Sequence, residues 1–126
     1  MRLLFIALGG GLGAVLRFAV SSGAQRLTGG TFPMGTLAVN ILGCIGIGLL
    51  GTLFTGPIMV REEVRFAVLV GFLGGFTTFS TFGYETFMLL ADDEWWRAAA
   101  NLTAHNALGL TAIFCGHRLA VLWQGA

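Results

Sequence analysis

The chain has 126 residues, of which 56% are hydrophobic and 10% are charged, and its formal net charge is +1. About a quarter of the residues are charged in an ordinary soluble domain, so this composition leaves too little polar surface for a water-soluble fold. The small net charge also gives no strong field that would favour nucleic acid or an acidic partner.

Four membrane spans are predicted, at about residues 3–22, 35–54, 66–91 and 98–121, within a single domain that covers residues 1–126. The charge-free stretch from Leu27 to Val60 has 34 residues, whereas one span needs roughly 20. The first span is interpreted as a retained helix and not a cleaved leader, because Arg17 lies inside it and no small-residue cleavage site follows. The predicted fold class is an all-α, multi-pass membrane protein.

The connectors separate these spans clearly. Pro33 blocks helix continuation before the second span, and the loop at about residues 55–65 contains Gly56-Pro57. The acidic residues 92–94 precede Trp95 and Trp96, which are typical of the membrane interface.

The distribution of arginines says little about orientation. Four spans place both termini on one side of the membrane, which would carry four arginines against two on the other, namely Arg2, Arg61, Arg65 and Arg118 against Arg26 and Arg97. Such a weak bias fits either one fixed topology or insertion in both orientations.

Glycine is unusually frequent, at 20 of 126 residues. Small residues let membrane helices approach closely. They recur at spacing four in three sets, which are Gly9 with Gly13, Gly71 with Gly75, and Cys44 with Gly48 and Thr52. These faces are expected to need partners, so a homodimer or larger assembly is predicted, with any conduction path between subunits.

Residues 71–85 of the third span are the most informative part of the chain. Phe76, Phe79 and Phe82 recur every three residues, beside a stripe of hydroxyl side chains formed by Thr77, Ser80, Thr81 and Tyr84. One interpretation is core packing, with each hydroxyl bonded to a carbonyl of its own helix. The other is an anion path lined by electropositive ring edges and hydroxyl donors, and the density of the pattern favours it.

Gly74 and Gly75 also allow two interpretations. Glycines of a membrane helix most often mark a close contact, but they also permit a break near residues 74–77. A break would free the carbonyls of Gly74 and Thr77, whose oxygen atoms suit a hard cation such as Na⁺. The new helix N-terminus after the break would favour an anion.

Three further polar residues are candidates. Arg17 lies in the first span, Asn40 in the second and Glu85 late in the third. Asn40 either joins two helices by hydrogen bonds or presents its amide group to an anion. Arg17 is either functional or extends to the interface. Glu85 either pairs with Arg17 or lies near an aqueous mouth, and it is not interpreted as an anion ligand.

The fourth span carries Asn101 and His105 one helical turn apart, and a hydrogen-bonded packing histidine is predicted there. Their part in any pore stays open. The sequence contains no nucleotide-binding loop, zinc signature or Ser/His/Asp set, so an enzyme is not predicted.

The chain resembles the bacterial fluoride channels of the Fluc or CrcB family. The resemblance covers nearly the whole length and is carried by residues 10–18, 35–40 and above all 71–82. It implies an antiparallel, dual-topology homodimer of four-helix subunits with two anion pores. It also implies that Phe79 and Phe82 line the pore with Asn40, that Ser80 and Thr81 extend its polar lining, and that carbonyls at Gly74 and Thr77 hold a structural Na⁺.

Arg17 matches the arginine of the family's first helix, Glu85 matches the glutamate of its third, and Thr36 joins them as a structural or gating candidate. The family often has serine where this chain has Gly83, so one hydroxyl of the polar lining is missing here.

The predicted function is a passive, fluoride-selective channel in the cytoplasmic membrane that lets accumulated fluoride leave the cell. Its expected partners are fluoride, the lipid bilayer and a second copy of the chain, with no nucleic acid. The alternative is a small dual-topology exporter of organic cations, which would be expected to use a carboxylate early in the chain where this one has Arg17. A structural membrane subunit without transport activity gives no reason for residues 71–85.

Overall fold

The computed structural model describes residues 1–125, and apart from short connectors these residues are helical. The helices are α1 (Arg2–Thr28), α2 (Met34–Thr55), α3 (Glu62–Arg65), a π-helical segment (Phe66–Phe72), α4 (Leu73–Phe76), α5 (Phe79–Ala91) and α6 (Trp95–Trp123). No strand occurs within residues 1–125. The predicted all-helical fold is therefore confirmed.

Three helical stretches are long and apolar enough to cross a membrane, namely α1, α2 and Glu62–Ala91. The predicted fourth span corresponds to α6, which has 29 residues. Polar residues such as Asn101, His105 and Asn106 lower the hydropathy of α6. Length and composition alone therefore identify three candidate spans in a molecule with four principal helical stretches.

Helix α1 extends beyond the predicted end at residue 22 because a glycine and a glutamine organise the connector. Gly29 has a left-handed conformation (φ 59°) and its N–H donates to the Gln25 carbonyl, which ends the helix at Thr28. The Gln25 side-chain amide donates to the carbonyls of Gly30 and Phe32 and accepts from the Gly35 N–H. These bonds fix the entry into α2.

The helices form two closely packed groups. Helix α2 lies along α6, whereas α1 lies against the π-helical segment, α4 and α2, and α5 contacts α6. Four glycines, which we call the glycine seam, let α1 approach the first half of the third span; they are Gly9, Gly13, Gly71 and Gly75. A Cβ atom at Gly13 would overlap the Phe72 carbonyl, and one at Gly75 would overlap the Gly10 carbonyl.

The third set of small residues is also used inside the chain. A Cβ atom at Gly48 would overlap the Ile113 carbonyl of α6, and Thr52 Oγ1 lies 2.9 Å from His117 Nδ1. Each of these small-residue faces already has a partner within one chain, so the faces alone do not call for a second copy. A homodimer needs other support.

Candidate functional site

The third span is interrupted between α4 and α5, where two residues leave the helical conformation. Thr77 (φ −87°, ψ 159°) and Thr78 (φ −150°, ψ 112°) are extended. Gly74 and Gly75 lie within α4, which ends at Phe76. The extended residues thus follow the glycine pair, and their conformation is one that any residue adopts.

Asn40 of α2 supplies hydrogen-bond partners for the backbone at this interruption. Its Oδ1 accepts from the Thr78 N–H at 2.8 Å, and its Nδ2 donates to the Thr78 carbonyl at 3.1 Å. The side-chain amide therefore replaces the peptide partners that a continuous helix would offer. An asparagine amide has two N–H groups, so one remains for another acceptor, and the joining role and the donor role of Asn40 are compatible.

The interruption also frees backbone carbonyls. In a continuous helix the Thr78 N–H would bond to the Gly74 carbonyl, but it donates to Asn40 instead. Thr81 likewise directs its N–H to Thr78 Oγ1, at 3.2 Å. The Thr77 carbonyl accepts from Arg17 Nη1 at 3.3 Å. Arg17 is thus half-buried against the interruption and does not extend to the interface.

These carbonyls provide a test of the predicted Na⁺ ligands. Gly74 is exposed, and no atom lies within 4 Å of the position that a Cβ would take. Because the Thr78 N–H donates to Asn40, the Gly74 carbonyl lacks its usual helical partner, and an oxygen of this kind suits a hard cation. The Thr77 carbonyl fits less well, since it already accepts from the positively charged Arg17.

Thr78 is the centre of a hydroxyl cluster at the start of α5. Its Oγ1 lies 3.3 Å from Ser80 Oγ, donates to Thr81 Oγ1 at 2.9 Å and accepts from the Thr81 N–H. The structure brings Ser80 and Thr81 together through Thr78, a residue whose role the sequence analysis missed. The signal was available, because a threonine that precedes a helix and accepts from the N–H three residues later is a typical N-cap.

Thr77 itself follows the packing interpretation. Its hydroxyl donates to the Leu73 carbonyl at 3.0 Å, within its own helical turn. That bond removes Thr77 Oγ1 from the predicted stripe of hydroxyl donors.

The two predicted pore phenylalanines lie at one open cavity of about 390 Å³. Phe79 is 83% exposed and Phe82 is 7% exposed. Their ring centroids are 5.5 Å apart and the ring planes meet at 59°. The cavity walls also include Asn40, Gly74, Thr77, Thr78 and His105. Tilted rings present hydrogen-bearing edges, which attract negative charge.

Glu85 pairs with Thr36 and not with Arg17. Thr36 Oγ1 donates to Glu85 Oε1 at 2.7 Å. Within residues 1–125 the other carboxylate oxygen, Oε2, is buried and has no hydrogen-bond partner. Both residues line a second, more polar cavity with Ser21, Ser22, Arg26 and Thr81. Thr81 of the hydroxyl cluster therefore also lies at this second cavity.

His105 hydrogen-bonds within α6, packs against Phe82 and also lines the first cavity. Its Nδ1 lies 3.1 Å from the carbonyl oxygen of Asn101, one turn earlier on α6. Its ring lies over the Phe82 ring, with centroids 4.2 Å apart. Asn101 is completely buried.

Comparison with known proteins gives a consistent result over most of the chain. Residues 4–117 match the model of a family described as CrcB-like protein, Camphor Resistance (CrcB). A protein of Nitrosococcus oceani is 44% identical over 119 residues, which cover 94% of this chain and 95% of the relative. A protein of Desulforapulum autotrophicum is 46% identical over 115 residues, with 91% and 92% covered. Both curated relatives are named "Fluoride-specific ion channel FluC".

Proposed function

Because the chain belongs to the CrcB family, we propose that it is a fluoride-specific ion channel that lets fluoride leave the cytoplasm passively and so limits its toxicity. The observation that carries the proposal is the name shared by relatives that are 44% and 46% identical over more than nine-tenths of both chains. The comparisons give no support to an exporter of organic cations.

The chemistry of the interruption agrees with this function. Fluoride is small and strongly hydrated, so a membrane path for it must replace water with closely placed donors. The free N–H of Asn40 and the ring edges of Phe79 and Phe82 offer such donors around one cavity. The hydroxyls of Ser80 and Thr81 lie next to it, in contact with Thr78 of the cavity wall. Arg17 adds a positive charge behind the Thr77 carbonyl.

The same cavity supports the homodimer. It is open on one side, and Phe79 and Gly74, which help to line it, are both exposed. Neither an ion path nor a cation site works with one wall exposed to lipid, because every polar group in hydrocarbon needs a partner. A second copy, packed antiparallel against this surface, would close the wall, and two copies would form two such paths. Helix α6 would then be the fourth span, with its polar residues turned toward protein.

The proposed Na⁺ site lies at the same subunit contact. The Gly74 carbonyl, and the Thr77 carbonyl once it is shared with Arg17, would hold the ion together with the same atoms of the second copy. The ion would supply a fixed positive charge that joins the two interrupted helices. The proposed location of the assembly is the cytoplasmic membrane, which fluoride must cross to leave the cell.

Efflux from reconstituted liposomes tests the function directly. Vesicles loaded with potassium fluoride or potassium chloride are compared, with a potassium ionophore to remove the electrical limit on flux. We expect rapid release of fluoride and retention of chloride. Equal release of both anions, or no fluoride release from correctly folded protein, would refute the proposal.

The assembly and the ion are tested separately. Cross-linking in liposomes at high dilution should trap pairs of chains, and active protein that stays monomeric would exclude the dimer.

Replacement of Na⁺ by a large organic cation should weaken either the pairing or the fluoride flux. If both are unchanged after exhaustive exchange, the Na⁺ site is absent.

A further inference from the structure

Phe82 is held from behind by two buried polar side chains that line neither of the cavities described above. Thr86 Oγ1 donates to the Phe82 carbonyl at 2.8 Å, and the same oxygen accepts from Asn101 Nδ2 at 2.9 Å. Thr86 is 7% exposed and Asn101 is 0% exposed. A chain of two hydrogen bonds therefore connects α6 to the backbone of the pore phenylalanine.

Asn101 also reaches the ring of Phe82 by a second route. Its backbone carbonyl accepts from His105 Nδ1, and the His105 ring lies against the Phe82 ring at 4.2 Å between centroids. Because a carbonyl oxygen only accepts hydrogen bonds, Nδ1 carries the proton. The His105 ring is thus held in one orientation by the backbone carbonyl of residue 101, and it in turn limits how the Phe82 ring can tilt.

This polar arrangement contributes less to the stability of the fold than an apolar one would. Within residues 1–125, Asn101 Oδ1 and His105 Nε2 are buried without a hydrogen-bond partner. Unpaired buried polar atoms cost free energy, and an apolar side chain of similar shape would remove the cost. The polar residues therefore have a use that leucine would not fulfil, and both routes lead to Phe82, one to its carbonyl and one to its ring.

We propose that Asn101 and Thr86 are positioning residues that fix the ring of Phe82 in the fluoride path, Thr86 through the Phe82 backbone and the Asn101 side chain through Thr86. The inference rests on the proposed channel function for the role of Phe82. It assigns no anion contact to Thr86 or Asn101, since both lie behind the ring.

The test uses three matched threonine variants. Thr86→Val removes both hydrogen bonds with little change in shape, and Thr86→Ser keeps the hydroxyl. Thr111→Val is the control, because the Thr111 hydroxyl donates only to the Ala107 carbonyl of its own helix. We expect fluoride flux per folded channel to fall about tenfold in Thr86→Val, the size of effect of one lost buried hydrogen bond. Flux should be nearly normal in the other two variants.

A spectroscopic measurement separates positioning from general loss of structure and from the channel function itself. Para-fluorophenylalanine is placed at position 82 and its fluorine NMR signal is recorded for each variant. Thr86→Val should shift or broaden the signal, whereas Thr86→Ser and Thr111→Val should not. An unchanged signal in Thr86→Val overturns the proposal. If the unsubstituted protein conducts no fluoride, the channel function fails, but the signal still decides whether the ring is held.

The chain of hydrogen bonds predicts coupling between Thr86 and Asn101. Since the Asn101 amide acts on Phe82 through Thr86, Asn101→Leu combined with Thr86→Val should lower flux little more than Thr86→Val alone. Fully additive losses would show that the residues act independently and would overturn the connected chain. The Thr86 series stands alone if Asn101→Leu does not fold.

Discussion

The two halves of the third span meet their neighbours in different ways. Residues 66–76 lie against α1 through the glycine seam, where backbone contacts backbone and no side chain fits between. Helix α5 lies against α6 through a few specific side chains, including the Thr86 to Asn101 hydrogen bond and the contact of Phe82 with His105. Thr77 and Thr78 separate these halves.

This difference indicates that the first half of the third span determines folding and that the second half determines conduction. A backbone contact tolerates no added atom, so substitutions in the first half should prevent packing. Contacts between side chains tolerate isosteric changes, so substitutions in the second half should leave a folded protein that conducts poorly. The interruption between the halves should show both effects, because Asn40 satisfies its backbone and also lines the cavity.

The largest effect is expected at the glycine seam. Gly13→Val places its side chain on the Phe72 carbonyl of the π-helical segment. Overpacking of this kind costs about 3 kcal/mol, and the clash is with backbone, which cannot rotate away. We expect little monodisperse protein after extraction, and a lowered free energy of unfolding for any that remains.

Gly11→Val is the matched control on the same helix. Gly11 is exposed, and no atom lies within 4 Å of its added Cβ. Its yield and unfolding free energy should stay near those of the unsubstituted protein. If Gly13→Val behaves like Gly11→Val, the seam is not as tight as the structure indicates.

The next effect is expected at the interruption. Asn40→Leu removes both hydrogen bonds to Thr78 and leaves its N–H and carbonyl without partners. Each unsatisfied buried group costs about 1–3 kcal/mol. We expect fluoride flux to fall roughly a hundredfold, with a moderate loss of stability. Flux is measured in liposomes after the folded fraction is determined by size-exclusion chromatography; normal flux would show that Asn40 neither supports the interruption nor lines the path.

Much of this architecture could be predicted from the sequence because it depends on local patterns. Apolar stretches and connectors identify the helices, and the spacing of Phe79 and Phe82 placed both rings at one cavity. The family resemblance drawn from residues 71–82 is confirmed by the match over residues 4–117.

The rest depends on contacts between distant residues, which no local pattern encodes. Gly9 and Gly13 predicted close packing, but the motif does not say whether the partner is another chain or the third span of the same one. The pairing of Asn40 with Thr78 joins residues 38 positions apart. The Asn40 amide accepts the hydrogen bond of the Thr78 N–H and so supports the extended conformation there. The extended residues are therefore Thr77 and Thr78, which follow the glycine pair.

A smaller effect, confined to conduction, is expected in the second half of the span. Phe82→Ile keeps an apolar side chain but removes the ring edge and the contact with His105. Interactions of ring edges are worth about 0.5–1.5 kcal/mol, so we expect flux to fall about tenfold with little change in stability. Phe87→Ile is the control, since Phe87 lies on the same helix, is 62% exposed and does not line the cavity. Equal flux in the two variants would remove Phe82 from the path.

The smallest effect is expected at the ion pair between the start of α1 and α3, which precedes the first half of the third span. Arg2 Nη2 lies 2.6 Å from Glu62 Oε2, and the two side chains are 57% and 49% exposed. An exposed ion pair contributes less than about 1 kcal/mol and is screened by salt. Glu62→Gln should therefore lower the free energy of unfolding only slightly, and only at low ionic strength, with unchanged fluoride flux. A large loss that persists in high salt would mean that this end of α1 depends on charge, and that the glycine seam alone does not hold the first half of the third span in place.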